Sequence, residues 1–256
     1  MGAHGLGAGT AFGDRGALSG RERDASPNFR SHGWLYGRRR GHGLRPGRRK
    51  LIADMLPVMR LAVPESGSIR TDTLFSWPVR ELWLEVGFGS GEHLAAQARA
   101  NPDVGLIGCE VFVNGIAALL ARMTQDEITN IRIFDDDARL LMRRLPDASV
   151  GRVFVLFPDP WPKTRHAARR FVSAENLDAL ARIMRDGAEL RFASDHAEYV
   201  RQTLDVVGRD ARFAWSARTR ADWRRPGDAI MTRYEAKAER QGRTCVHLRF
   251  VRRPRA

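Results

Sequence analysis

The sequence predicts an α/β fold, a mostly parallel sheet with helices on both faces, and three observations predict it. Short apolar runs alternate with amphipathic stretches from Leu51 onward, as strands and helices do when they take turns in a parallel sheet. The most continuous run, 151–157 (G-R-V-F-V-L-F), reads as a central strand covered on both faces. A glycine-rich stretch, 85–91 (E-V-G-F-G-S-G), stands where one run passes into a helical pattern, the strand-turn-helix arrangement of Rossmann-like domains.

In chain order, the first strand is expected at 82–86 (L-W-L-E-V) and a helix at 92–100, whose apolar and polar positions follow a helical period. A second strand at 105–109 precedes a helix at 114–123, and a third at 131–134 leads into a helix at 138–145. The central strand at 151–157 is followed by a helix at 173–184. A strand at 189–193, a helix at 196–207 and a closing strand at 244–251 complete the pattern, with no internal repeat. These elements make 51–256 one Rossmann-like domain. Residues 1–28 hold seven glycines and almost no apolar periodicity, so they read as a disordered extension.

Composition narrows the function classes. Hydrophobic residues make up 43% of the 256, enough for a core, and the two cysteines, Cys109 and Cys245, are too few and too far apart for a disulfide scaffold. No run approaches the roughly 18 apolar residues of a membrane span, and the first thirty residues lack the apolar stretch of a secretory signal, so a soluble, cytoplasmic protein is expected. The seven histidines show no paired ligand spacing and there is no C-x-x-C, so no metal is expected.

The formal net charge is +13, of which the first fifty residues supply +8. A polyanionic partner follows from that excess. The stretch 29–50 interleaves aromatic and basic residues, the combination that stacks on bases while neutralising phosphates, and it reads as an RNA-binding arm. A solvated basic linker is the other reading.

Gly87, Gly89 and Gly91 let a ligand approach the backbone at the end of the first strand. Glu110 ends the second strand, nineteen positions after Gly91, where a carboxylate can accept hydrogen bonds from both hydroxyls of a ribose. A dinucleotide would place a diphosphate in the glycine turn, but Glu85 and Glu92 flank it. Those acids suit a cation carrying an ammonium and a sulfonium, which points to S-adenosyl-L-methionine. Asp137, just past the third strand, is placed to receive the exocyclic amine of the adenine; read alone, D-D-D is equally a solvated turn or a helix N-cap.

The loop after the central strand, F-P-D-P-W-P-K-T-R-H-A-A-R-R (157–170), joins features that serve a base. Two prolines stiffen the presentation of Asp159, and Trp161 offers a flat face for stacking, worth about 1–3 kcal/mol. Lys163, Arg165, Arg169 and Arg170 supply phosphate contacts. Trp161 in the core with the arginines on a solvated face is the alternative, and it leaves the prolines around an acid unexplained.

These pieces together resemble the bacterial tRNA (guanine-N7-)-methyltransferase family, a branch of the class I S-adenosylmethionine-dependent methyltransferases. The matching segments are E-V-G-F-G-S-G, G-C-E at 108–110, D-A at 137–138, F-P-D-P-W-P-K-T-R-H, A-S-D-H at 193–196 and T-R-Y-E at 232–235. The resemblance implies S-adenosylmethionine contacts at Glu85, Glu110, Asp137 and Asp159. It implies tRNA-substrate contacts at Lys163, Asp195, Thr232, Arg233, Tyr234 and Glu235, and a basic RNA contact over Arg165, His166, Arg169 and Arg170. The implied reaction is methylation of N7 of a variable-loop guanine, position 46, in tRNA. Read without the family, Asp195 equally caps the helix starting near His196, and Glu235 equally forms a surface ion pair with Lys237 or Arg233.

The N7 of guanine already exposes a lone pair, so the reaction needs alignment rather than a general base. Asp159 is the expected catalytic residue, stabilising positive charge on the product ring. Two other classes remain as alternatives. A non-catalytic RNA-binding module on a methyltransferase fold shares the charge and the arm. A nicotinamide-dependent oxidoreductase shares the glycine turn but has no use for the D-P-W loop.

Overall fold

Apolar runs that bury both faces become the strands of one seven-stranded sheet, ordered β3-β2-β1-β4-β5-β7-β6. The strands are β1 (Glu81–Val86), β2 (Val104–Cys109), β3 (Ile131–Phe134), β4 (Val150–Leu156), β5 (Met184–Ser194), β6 (Phe213–Trp215) and β7 (Val246–Arg252). In this computed structural model the described residues are Met1 and 39–255. The expected disordered extension from residue 2 to 28, and the first ten residues of the arm, 29–38, lie outside them.

β1 to β5 pair in parallel, while β7 runs antiparallel between β5 and β6. The chain winds outward from β1 through β2 to β3, then returns to lay β4 on the other side of β1. That reversal opens a crevice at the carboxyl ends of β1 and β4, the standard ligand position in such sheets.

Helices cover both faces, in agreement with the Rossmann-like expectation. On one face α3 (Glu92–Ala100) and α4 (Val113–Gln125) press Leu94, Ala98, Ile116, Leu119 and Leu120 against Trp83, Leu106 and Phe154. On the other, α5 (Ala138–Met142), α6 (Ala174–Ile183) and α7 (Ala197–Gly208) bring Leu141, Leu177, Leu180 and Tyr199 onto Leu84, Val153 and Phe192. The central strand β4 keeps Val153, Phe154 and Val155 fully buried, so its unbroken apolar run reflects cover on both sides.

Several elements differ from the sequence expectation. α1 (Pro46–Asp54) and α2 (Leu56–Met59) had no visible period, because α1 buries no residue fully and offers only Leu51 and Ile52 to the core behind α4. α1 crosses the boundary expected between arm and domain at residue 50, so residues 39–50 join the fold. Val113 donates its N–H to the Arg39 carbonyl at 3.0 Å, and Asn114 accepts from Gly41 N–H at 3.1 Å. The helix expected at 138–145 stops at Met142, β5 starts five residues early at Met184, and β6 and α8 (Arg233–Arg240) were not expected.

Candidate active site

A cleft of about 330 Å³ opens at the crevice between β1 and β4, within the size range of small-ligand sites. Its floor is the glycine turn, where Gly87, Gly89 and Gly91 take φ of +73°, +59° and +72°, values that favour glycine. Glu110 locks this turn to the end of β2. One carboxylate oxygen accepts Gly89 N–H at 2.7 Å, and the other accepts Val111 N–H at 2.8 Å and Phe112 N–H at 2.9 Å. A carboxylate has about four acceptor positions, so capacity remains toward the cleft. Burial raises the Glu110 pKa; the three N–H bonds oppose the rise and the nearby charge of Asp159 adds to it.

Glu85 lies at the base of the cleft, 3% exposed, with its Oε2 2.8 Å from His93 Nδ1. A carboxylate accepts only, so this geometry has Nδ1–H donating and fixes the ring. His93 packs edge-on against Phe154, with centroids 4.7 Å apart.

The D-D-D stretch divides three ways. Asp135 pairs with Arg60 at 2.7 Å, and Asp136 with Arg39 at 2.7 Å. Asp137 caps α5, accepting Arg139 N–H at 3.0 Å, and its carboxylate also holds the Arg139 guanidinium. Asp136 and Asp137 both line the cleft. The N-cap reading of Asp137 is therefore realised, and Asp136 comes to the wall beside it.

On the opposite wall stands the proline-flanked loop. Phe157 and Trp161 have positive φ, +50° and +42°, and Phe157 N–H is fixed to the Ala193 carbonyl at 2.7 Å. Asp159 is exposed to the cleft and has no hydrogen bond or ion pair among the described residues. Trp161 is half-buried and lines the same cleft, with the Arg169 guanidinium 5.0 Å from its ring centroid and the His166 ring edge-on at 5.9 Å. It is not a core residue.

Arg170, expected to contact RNA, is only 4% exposed and serves the loop from inside. Its guanidinium donates to the carbonyls of Pro160 at 2.8 Å and Trp161 at 3.2 Å and to the Gln202 side chain, above the Tyr199 ring. Arg165 and Lys163 are exposed, and Arg169 is half-buried at the cleft wall. Arg170→Ala is expected to destabilise the fold by about 1–3 kcal/mol, the cost of stranding buried acceptors. Urea unfolding checks this, and the salt dependence of RNA binding should stay as in the wild type.

The T-R-Y-E segment caps α8 and spreads its side chains. The Thr232 hydroxyl accepts Glu235 N–H at 3.2 Å, and Thr232 and Tyr234 line the cleft. Arg233 faces Glu92 at 3.7 Å. Glu235 is buried between Arg225 at 3.2 Å and His247 at 3.3 Å, not paired with Lys237 or Arg233. It lines a small second cavity of about 20 Å³ behind the first, shared with His93 and Thr232. Burial lowers the His247 pKa, with Glu235 acting in the other direction. Asp195 lies outside the cleft and pairs with Arg243 at 2.5 Å; it does not cap α7, whose N-cap residue is His196 with no side-chain cap bond, while the Ser194 hydroxyl accepts His196 N–H at 3.1 Å.

The cleft thus gathers Glu85, the glycine turn, Glu110, Asp137, Asp159, Arg169, Thr232 and Tyr234, and leaves Lys163, Arg165 and Asp195 outside its walls. Sequence reasoning missed His93, Asp136 and Arg39, the last visible only as part of a basic run. Among the described residues no group of three or more His, Cys, Asp or Glu is placed to hold a metal, and no helix is long and apolar enough to cross a membrane.

Residues 79–248 match the family described as "Putative methyltransferase". A tRNA (guanine-N(7)-)-methyltransferase of Rhodospirillum rubrum is 50% identical over 226 residues, covering 87% of this chain and 89% of its own. Another of the same description, from Paramagnetospirillum magneticum, is 50% identical over 223 residues, covering 86% and 93%. Among solved structures, the 16S rRNA methyltransferase KamB aligns with a TM-score of 0.53 at 19% identity, over 77% of this chain and all of its own, which supports the fold. Half the residues shared over nearly the full length of both chains leaves one conclusion about ancestry: this chain belongs to the bacterial tRNA (guanine-N7-)-methyltransferase family.

Proposed function

We propose that this protein transfers a methyl group from S-adenosyl-L-methionine to N7 of a guanine in tRNA, the variable-loop guanine at position 46, in the cytoplasm. The observation that carries the reading is the charge of the cleft. Six carboxylate residues line it; Arg39, Arg139 and the pair Arg122 and Arg233 hold Asp136, Asp137 and Glu92, which leaves Glu85, Glu110 and Asp159 without an arginine partner among the described residues. A diphosphate would be repelled by such walls, whereas a donor with an ammonium and a sulfonium is drawn in. When bound, S-adenosylmethionine supplies a methyl group on a positively charged sulfur, an electrophile for the guanine nitrogen.

The chain's own residues then have distinct tasks. Glu85, held by His93, faces the ammonium, and the free capacity of Glu110 faces the ribose hydroxyls. Trp161 and Tyr234 offer aromatic faces to a base brought into the cleft, each such stack being worth about 1–3 kcal/mol. Asp159, on a loop held at both ends, faces the purine as its imidazole ring gains positive charge. Holding nitrogen, methyl and sulfur in line can supply about 7–11 kcal/mol of the barrier, so positioning carries most of the catalysis. Lys163, Arg165, His166, Arg169 and the exposed Arg40, Arg45 and Arg48 are assigned to the RNA backbone.

Transfer of labelled methyl from S-adenosylmethionine to unmodified tRNA, with the modified nucleotide mapped, tests the reading. N7-methylguanine at position 46 is the expected product. Donor and tRNA binding without transfer would favour the non-catalytic RNA-binding alternative.

Acid pH should weaken donor binding through Glu110. Its folded-state pKa is raised above the ordinary glutamate value, and the ionised form is the one that accepts a ribose hydroxyl in its remaining acceptor position. Affinity is therefore expected to be full at alkaline pH and to fall as pH drops through that raised pKa. Calorimetric titration of the donor across pH checks this, and Glu110→Gln should bind weakly with a flatter profile.

A further inference from the structure

We infer that the connector between β6 and α8, residues 216–231, is a second RNA-contacting surface, taking the phosphates of the tRNA that flank the base held in the cleft. The inference rests on the proposed tRNA substrate and extends it to a part of the chain that none of the expected RNA contacts includes.

Its first ten residues, S-A-R-T-R-A-D-W-R-R, hold four arginines against one acid, Asp222. Arg225 is engaged with Glu235 at 3.2 Å. Arg218, Arg220 and Arg224 are exposed, and their guanidiniums have no hydrogen-bond or ion-pair partner among the described residues. Elsewhere on this molecule arginines are commonly paired: Arg80, Arg182, Arg191 and Arg212 each hold a carboxylate. Three unpaired guanidiniums within seven residues therefore stand out as a site for an external anion.

The backbone beneath them is held in place. The Asp222 carboxylate accepts Arg218 N–H at 2.9 Å, Thr219 N–H at 2.8 Å and the Thr219 hydroxyl at 3.0 Å. Trp223 packs on the core, and Trp215, 44% exposed, stands edge-on to it with centroids 5.3 Å apart. Farther along, Arg191 grips the Asp228 carboxylate through two bonds of 2.8 and 2.9 Å, and Gln97 donates to the Asp228 carbonyl at 2.7 Å. A surface already ordered loses little freedom on binding.

Topology sets its distance from the reaction. β6 runs antiparallel to β7, which runs antiparallel to β5, so the end of β6 opens on the same edge of the sheet as the cleft. Four strand steps separate β6 from β1, roughly 19 Å at about 4.8 Å per step. A single base cannot bridge that distance, but the duplex beside the target loop can. The connector ends in Ile230 and Met231, exposed apolar residues that lead along the chain into Thr232 and Tyr234 at the cleft. A second copy of this chain is disfavoured as the occupant, because it would bring its own unpaired arginines against these.

The test uses the full chain with Arg218, Arg220 and Arg224 all changed to alanine. At about 0.1 M salt, KM for tRNA is expected to rise about 10- to 30-fold, with kcat and donor KM within twofold. The slope of log affinity against log salt should become shallower by about 2–3, roughly one unit for each phosphate that no longer has an arginine beside it. On a short stem-loop carrying the target guanine without the flanking duplex, variant and wild type should bind alike. Unchanged tRNA affinity and salt slope, or an equal loss on the short stem-loop, would overturn the inference. Equilibrium tRNA titration reads the surface without turnover, so a wild type that binds tRNA but transfers no methyl would count against the proposed function alone. A Trp215→Ala variant that abolishes self-association in sedimentation while keeping full tRNA affinity would assign the face to a second copy and overturn the inference as well.

Discussion

Asp159→Asn is expected to lower kcat for tRNA methylation by about 10²-fold, with the donor dissociation constant moving no more than a few fold. The size follows from losing one charge aimed at a developing charge of opposite sign, where removing a single preorganised group costs about 10²–10³ in rate. Asparagine keeps the shape and one acceptor oxygen, and Pro158 and Pro160 keep the backbone, so the variant changes charge and little else. Asp159 has no protein partner to lose among the described residues, which predicts an unfolding midpoint equal to wild type. An exposed acid without a partner, held on a loop that a buried arginine fastens from behind, contributes nothing evident to the fold. Its place is explained by what binds opposite it. Single-turnover methylation with saturating donor measures the effect; a wild-type rate would show that the carboxylate has no part in the chemistry.

The second large effect is expected at Gly115, on the first turn of α4. A Cβ there would sit 2.1 Å from the Gly89 carbonyl oxygen and 3.0 Å from its carbon, both backbone atoms of the glycine turn. Neither can move without disturbing the bond between Gly89 N–H and Glu110, which shapes the floor of the cleft. Gly115→Ala should therefore cost about 1–3 kcal/mol, the usual penalty of overpacking. Part of this should appear as donor affinity, reduced by about tenfold or more. Gly208→Ala, where a Cβ meets nothing within 4 Å, is the control and should bind donor as wild type does. Calorimetric titration and urea unfolding of both variants separate the local effect from a general one.

Much of the fold was legible because a parallel sheet writes itself as apolar runs. Ile131–Phe134 and Glu92–Ala100 fall where the sequence places them, since the strand is almost wholly buried and the helix keeps an apolar stripe. α8 was not legible: R-Y-E-A-K-A-E-R buries only Glu235 and Ala238, so no stripe exists to be read. β6 has three residues, too few for an alternation, and is held by pairing with β7.

The cleft was legible where a residue stands at the carboxyl end of a strand, as with Glu85 and Glu110, both of which line it. It was not legible where neighbours in sequence face opposite ways. Arg169 and Arg170 are adjacent and chemically identical, yet one lies at the cleft over Trp161 and the other is buried under the loop. Asp195 and Glu235 find Arg243 and His247 only through the pairing of β5 with β7 and the packing of α8, which no local pattern encodes. His93 reads as an ordinary helix position until the turn places it against Glu85.

The place of the donor in the cleft is measured directly by a crystal structure with S-adenosylmethionine bound. The expected result has the ribose on Glu110, the ammonium toward Glu85, and the methyl facing the open space beside Asp159 and Trp161. A donor bound outside this cleft, or one whose methyl faces away from Asp159, would contradict it.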